Sequence, residues 1–74
     1  MNEQRLQAYY QLIEKLLNCP EGEEAEILAA NQNQNLVDVD LVQVMLQMAS
    51  NLIQQGELDQ AHRLMNIAGY LLGV

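Results

Sequence analysis

The sequence predicts an all-α fold in which four helices form two antiparallel hairpins. In three of four segments the apolar residues recur at steps of three and four, which places them along one side of a helix, whereas the second segment has only a modest apolar face of Ala25, Ile27, Leu28 and Ala29. Half of the 74 residues are hydrophobic, but there is no Trp and no Phe, so Leu, Ile, Val, Met, Ala and three Tyr must form the core. A chain of this length forms one domain, 1–74.

The first hairpin is predicted from two segments separated by a proline. The first helix is expected at 3–18, with Asn2 as its N-cap and Pro20 as the signal that ends it. Its apolar stripe consists of Leu6, Tyr9, Tyr10, Ile13, Leu16 and Leu17. The second helix is expected at 21–30, because Pro20 suits a first turn and acidic residues suit the positive end of the helix dipole. The polar run 31–35 is predicted to be a loop.

The second hairpin is predicted from two longer amphipathic segments. The third helix is expected at 39–55, with Asp38 as its N-cap and Gly56 in the left-handed conformation that ends a helix. Its apolar face comprises Leu41, Met45, Met48, Ala49, Leu52 and Ile53, widened by Val42 and Val44. The fourth helix is expected at 58–72, with Leu58, Ala61, Leu64, Met65, Ala68, Leu71 and Leu72 on its face. The short connection predicts that these helices are antiparallel neighbours.

Charge and cysteine content exclude several classes of partner. Ten acidic residues against three basic ones give a formal net charge of −7, which disfavours nucleic acid and anionic lipid as partners. The longest strongly apolar stretch, 64–74, is far below the roughly 20 residues that span a bilayer. The single Cys19 has no partner for an intramolecular disulfide, and the N-terminus lacks the pattern of a secretory signal. We therefore expect a cytoplasmic protein.

The last two helices resemble one degenerate tetratricopeptide repeat. Ala49, Ala61 and Ala68 match the small residues at which helices cross closely, Leu52 and Met65 match large residues that fill the adjacent holes, and Gly56 ends the first helix. Met45 and Leu52 stand where the family has aromatic residues, and the closing proline is absent. The resemblance implies a helical hairpin of the tetratricopeptide type.

A second resemblance covers more of the chain. The run from Arg5 to Tyr9, the run from Leu16 to Pro20, Gly22 to Glu24 and Leu36-Val37, together with the Gly56 hairpin, are similar to the N-terminal helical segment of cyanobacterial tetratricopeptide-repeat proteins. Some of those proteins carry a caspase-like domain far downstream. The resemblance implies an N-terminal segment or a stand-alone relative, and it implies no protease activity, because the catalytic part lies outside the matched residues.

The candidate chemical sites have simpler structural interpretations. We expect His62 to be solvent-exposed, with a pH-responsive contact as the alternative, and Cys19 to be half-buried and structural, with a reactive thiol as the alternative. The acidic residues at 38–40 and 21–26 lack the spacing of a calcium loop and are expected to cap helices and face solvent. Met45, Met48 and Met65 are expected in the core, with an adaptable partner-binding surface as the alternative.

The prediction is a non-catalytic protein–protein interaction module. The alternative is a structural element that self-assembles, as a dimer or as the cap of a longer repeat protein. We expect no catalytic residue, no cofactor and no metal, and a partner that is another protein or a neighbouring domain. A homodimer is also predicted, because the last turns carry apolar residues around more of the helix than one stripe can hide. The predicted interface is Met65, Ile67, Tyr70, Leu71, Leu72 and Val74.

Overall fold

The computed structural model describes residues 2–32 and 36–73. These residues contain four helices and no strand: α1 (Glu3–Asn18), α2 (Glu24–Gln32), α3 (Val39–Gln54) and α4 (Leu58–Leu72). The predicted all-α class is confirmed, and α1, α3 and α4 begin and end within one residue of the predicted positions. Two earlier predictions, the loop at 33–35 and the interface role of Val74, lie outside the described residues.

Local capping explains why α1 and α3 were located correctly. The Asn2 side chain accepts a hydrogen bond from the Arg5 backbone N–H at 2.7 Å, and the Asp38 side chain accepts one from the Leu41 N–H at 2.9 Å. At the other end of α1, Cys19 is extended, as expected for the residue before a proline. Both N-caps and the stop at Pro20 are confirmed.

The start of α2 was predicted wrongly. The Pro20 carbonyl accepts a hydrogen bond from the Glu23 N–H at 3.2 Å, which closes a turn, and the helix begins only at Glu24. Gly22 in that turn has φ +97°, a conformation that a right-handed helix excludes. Pro20 therefore lies before the helix rather than in its first turn. At the far end, Asn31 and Gln32 belong to α2 rather than to the predicted loop.

The link between α3 and α4 is a Schellman motif. The Glu57 N–H donates to the Leu52 carbonyl at 2.8 Å, and the Gly56 N–H donates to the Ile53 carbonyl at 3.0 Å. Gly56 has φ +82°, so the predicted left-handed glycine at this helix end is confirmed. The motif satisfies the last carbonyls of α3 and lets α4 begin at once.

A single apolar core connects the four helices. It consists of Tyr9, Leu12, Ile13, Leu16, Leu28, Leu41, Val42, Val44, Met45, Ala49, Ala61, Leu64, Ile67 and Ala68. The α3–α4 pair makes the most extensive contact, α1 packs on the other three helices, and α2 and α4 make at most slight contact with each other. No helix among the described residues combines the length and apolar character needed to cross a membrane.

The apolar stripes were predicted less accurately than the helices. Leu12 is buried although it was left out of the α1 stripe, and Tyr10, which was included, is exposed. Of the three methionines predicted in the core, Met45 is buried, Met48 is half-buried and Met65 is exposed. Further residues predicted on apolar faces are exposed: Ala25, Ala29, Ile53, Leu58 and Leu72.

Candidate functional site

An open groove of about 700 Å³ separates α2 from α4. It exists because α2 packs on α1 and stands away from α4. One wall comes from α2 and the turn before it, and the other wall comes from α4. Its lining residues are Glu21, Gly22, Glu24, Ala25, Leu28, Asp59, His62, Arg63, Asn66, Ile67 and Tyr70. The volume lies within the range of about 300 to 1,000 Å³ that is usual for binding clefts.

The α2–α4 groove has a charged end and an apolar end. Glu21 and Asp59 come from the start of each wall and are exposed. Leu28, Ile67 and Tyr70 come from later turns; the first two are buried core residues, whereas Tyr70 is 65% exposed. A ligand in the groove would meet carboxylates at one end and apolar or aromatic surface at the other.

Arg63 and Glu24 face each other across the charged end. The Arg63 Nε atom lies 3.5 Å from Glu24 Oε2, and both side chains are about one fifth exposed. Glu24 also accepts a hydrogen bond from the Gly22 N–H at 2.6 Å. Its pKa lies below the ordinary value because backbone N–H groups of Glu24 and Gly22 donate to the carboxylate, and the Arg63 charge adds to this effect. Glu24 is therefore ionised at neutral pH.

Arg63 also holds the end of α1 in place. Its guanidinium donates to the Leu17 carbonyl at 3.1 Å and to the Cys19 carbonyl, both at the C-terminus of α1. These carbonyls have no partner within their own helix, and a cation suits the negative end of the helix dipole. The positive charge of Arg63 is thus engaged by the protein itself. The three carboxylates around the groove, from Glu21, Glu24 and Asp59, outweigh it.

A second polar cluster joins α1 to α3 away from the groove. The Tyr9 hydroxyl donates to both carboxylate oxygens of Asp38, at 2.7 and 2.9 Å, and the Arg5 guanidinium donates to the same carboxylate at 2.6 Å. Partial burial opposes ionisation of Asp38, but the donors from Tyr9, Leu41 and Arg5 outweigh it and hold the Asp38 pKa below its ordinary value. Sequence analysis identified Asp38 only as a cap and missed its partners.

Six exposed apolar side chains fall into two stripes, here called the outer face. Val39, Leu46 and Ile53 lie seven residues apart on α3, and Leu58, Met65 and Leu72 lie seven apart on α4. Each is between 37% and 66% exposed. Seven residues are close to two helical turns, so each set of three lies along one side of its helix.

The predicted interface residues divide between three locations. Met65 and Leu72 belong to the outer face, whereas Tyr70 lines the α2–α4 groove. Ile67 is a core residue that is only 5% exposed and also lines the groove, and its interface role stays a prediction. Leu71 is partly buried against the core. The helical periodicity of α4 predicted one wide apolar surface. It could not show which residues of that surface the other helices cover.

The single histidine is exposed and the single cysteine is half-buried. His62 is exposed at the edge of the groove, as predicted. Cys19 is half-buried, as predicted, and its thiol donates to the Leu16 carbonyl at 3.3 Å. Within 2–32 and 36–73, no group of three or more His, Cys, Asp or Glu side chains is arranged to hold a metal ion. Asp38 instead binds Arg5 and Tyr9.

Comparison with protein-family models, with curated proteins and with solved structures gives no match for this chain.

Proposed function

We propose that this chain is a non-catalytic protein-binding module whose α2–α4 groove holds a helical segment of another protein. The groove itself supports the proposal, because it combines a concave shape, a buried apolar floor and an acidic end. Amphipathic helices commonly bind to other proteins by placing their apolar side in such a groove. The wall from Asp59 to Tyr70 is about 16 Å long at 1.5 Å per residue, which suits roughly three turns of a bound helix.

The charge of the groove defines the chemistry of this partner. Three carboxylates against one guanidinium leave the charged end negative, and the whole chain carries a formal charge of −7. Complementary potentials favour association and exclude partners of like charge. The preferred partner segment therefore carries Lys or Arg at one end and large apolar side chains along the side that enters the groove.

A labelled peptide tests this function. The probe is a fluorescein-labelled helical peptide of about 14 residues, with Leu on one side and Lys and Arg at one end. The control peptide has each basic residue replaced by Glu. We expect fluorescence polarisation to show saturable binding of the basic peptide, weakened about tenfold, or roughly 1.4 kcal/mol, by the double variant Glu21→Lys with Asp59→Lys.

The matched control variant is Glu14→Lys with Glu26→Lys. It makes the same change in net charge at exposed positions that do not line the groove. Equal binding of both peptides, or an equal loss in both variants, would contradict the proposal, because either result would reflect net charge or nonspecific apolar adsorption rather than the groove.

The resemblance to tetratricopeptide proteins is part of the same proposal. Complete burial of Ala61 and near-complete burial of Ala49 and Ala68 support a close α3–α4 crossing of that type, and the Schellman motif at Gly56 supports a tight hairpin. We further propose that the chain works in the cytoplasm and is related to the N-terminal segment of cyanobacterial tetratricopeptide-repeat proteins. The Ala61→Leu measurement described in the Discussion tests the crossing.

A second candidate function, self-assembly, is favoured by a different observation. The outer face exposes six large apolar side chains on α3 and α4, the two helices with the most extensive mutual contact.

A further inference from the structure

We propose that the outer face pairs with the outer face of a second copy of this chain to form a two-fold dimer. This surface lies apart from the α2–α4 groove, since none of its six side chains lines that groove. The inference therefore goes beyond the proposed partner binding and can hold or fail independently of it.

The outer face is continuous across α3 and α4. Leu46 lies four residues after Val42 and three before Ala49, and Met65 has the same relation to Ala61 and Ala68. These four neighbours are buried. On both helices, therefore, the exposed stripe lies directly beside a line of buried residues. The direction of rotation about the helix axis from the buried line to the exposed stripe is the same for α3 and α4.

The rotational sense puts both stripes on the same side. Packed helices of this length that are joined by three residues run antiparallel. Because α3 and α4 run in opposite directions, the same rotation about each helix axis, starting from the line where the two helices meet, leads to the same side of the pair. Both exposed stripes therefore lie on that side. The opposite side carries the core residues that pack on α1. Leu46 and Met65 therefore lie near the middle of one apolar surface, with Ile53 and Leu58 at the connected end.

The distribution of charge selects a second copy as the occupant. All ten carboxylates of the chain lie outside 41–55 and 64–73, the segments that form most of the outer face. Two chains of net charge −7 can meet here without opposing carboxylates over most of the contact. A meeting through the groove would instead bring Glu21, Glu24 and Asp59 of both copies together. The outer face also offers no charge to attract a strongly basic protein.

The spacing and size of the face fit a weak, specific dimer. Apolar residues repeated every seven positions keep one side of each helix apolar along its whole length, so two copies can meet along both helices. Two helices about 24 Å long and about 9 Å apart present roughly 500 Å² per copy, or about 1,000 Å² in total, at the lower limit for a specific interface. We expect an equilibrium between monomer and dimer that depends on concentration.

Sedimentation equilibrium on the 74-residue chain tests the inference. Across a series from micromolar to millimolar concentration, the average mass should rise from 8.4 kDa towards twice that value. The double variant Leu46→Glu with Met65→Glu should weaken association by at least about 100-fold while its circular dichroism stays helical, because both side chains are exposed in the folded monomer. Tyr10→Glu changes an exposed aromatic on α1 and should leave association unchanged.

Three results would overturn the dimer. They are a monomer at millimolar concentration, a dimer indifferent to the Leu46 and Met65 changes, and a dimer broken equally by Tyr10→Glu. Peptide binding by the Leu46→Glu, Met65→Glu variant separates the two proposals. If the dimer inference is right, this variant is monomeric whether or not the groove binds the peptide, and if both proposals are right it also binds the peptide as the parent does. A parent chain that dimerises but does not bind the basic peptide identifies failure of the groove proposal alone.

Discussion

Asp38 performs three structural tasks with one carboxylate. It caps α3 through the Leu41 N–H, binds the hydroxyl of the fully buried Tyr9 and pairs with Arg5. A buried tyrosine needs a partner for its hydroxyl, and a capping aspartate has a second oxygen to offer. The contact joins residues 29 positions apart, so no local pattern around Asp38 could predict it.

The Asp38 carboxylate makes stability depend on pH. Its pKa is lower in the folded protein than the unfolded value of about 3.9. The unfolded state therefore binds the proton more readily, and the stabilisation present above pH 4 is lost as the pH falls through the lower folded pKa. Asp38→Asn should lower the free energy of unfolding at pH 7 and should reduce its decrease between pH 5 and pH 3.

Urea denaturation at several pH values measures this effect. Asn is as good an N-cap as Asp, so the substitution isolates the charge rather than the cap. Asp40→Asn, at an exposed position two residues further on, is the control and should keep the pH dependence of the parent. Identical pH profiles for Asp38→Asn and the parent would show that the Asp38 charge contributes no pH-dependent stability.

Arg63 has a comparable role at the other end of α1. Its guanidinium donates to the Leu17 and Cys19 carbonyls and faces Glu24 across the groove. Arg63→Ala removes these bonds and leaves a carbonyl of α1 without its donor, and we expect a loss of about 1 to 3 kcal/mol in the free energy of unfolding. Lys15→Ala, at an exposed position, should change it by less than about 0.5 kcal/mol. Equal effects in chemical denaturation would show that the Arg63 hydrogen bonds do not stabilise the end of α1.

Helix ends were predictable where the signal is local. Asn2, Asp38 and Gly56 act on their own helices within a few residues, and each was identified from the sequence. The start of α2 was missed because Pro20 fits either a first turn or a preceding turn. The positive φ of Gly22 excludes a helix at that residue, so Pro20 lies in a turn before α2. A glycine two residues after the proline was the available signal for this outcome.

We expect close packing between α3 and α4 to depend on the small size of Ala61. This residue is fully buried within the most extensive helix pair of the fold. Ala61→Leu adds three carbon atoms to a filled space and should destabilise the protein by about 1 to 3 kcal/mol. Ala30→Leu, at an exposed position of α2, should stay within about 0.5 kcal/mol of the parent. An unchanged midpoint for Ala61→Leu in chemical denaturation would contradict the tight crossing.

Across the whole chain, the sequence predicted that apolar surface stays exposed more accurately than it predicted where that surface lies. Helical periodicity showed that α4 has more apolar residues than one core can cover. It could not separate Ile67, which is buried, from Met65, which is exposed, because that depends on where α1 and α2 pack. The groove depends on the separation of α2 from α4, an arrangement of distant segments that no local motif records.

The two proposed surfaces would bind different partners. The groove carries charge and is proposed to bind a basic segment of another protein, whereas the outer face is apolar, lacks charge over most of its length and is proposed to bind a second copy. A dimer formed in this way leaves both grooves open, since the two surfaces share no residue. Two grooves in one assembly would bind a partner that carries two basic segments more tightly than one groove alone.

NMR tests whether the α2–α4 groove is the site that binds another protein. Nitrogen-15 labelled protein is titrated with the basic helical peptide at a concentration low enough to keep the chain monomeric. We predict that the largest amide shift changes lie at groove residues such as Ala25, Leu28, Asn66 and Tyr70, while the amides of Leu46 and Ile53 on the outer face stay unchanged. Shift changes scattered over the surface or centred on the outer face, or no change at millimolar peptide, would contradict it.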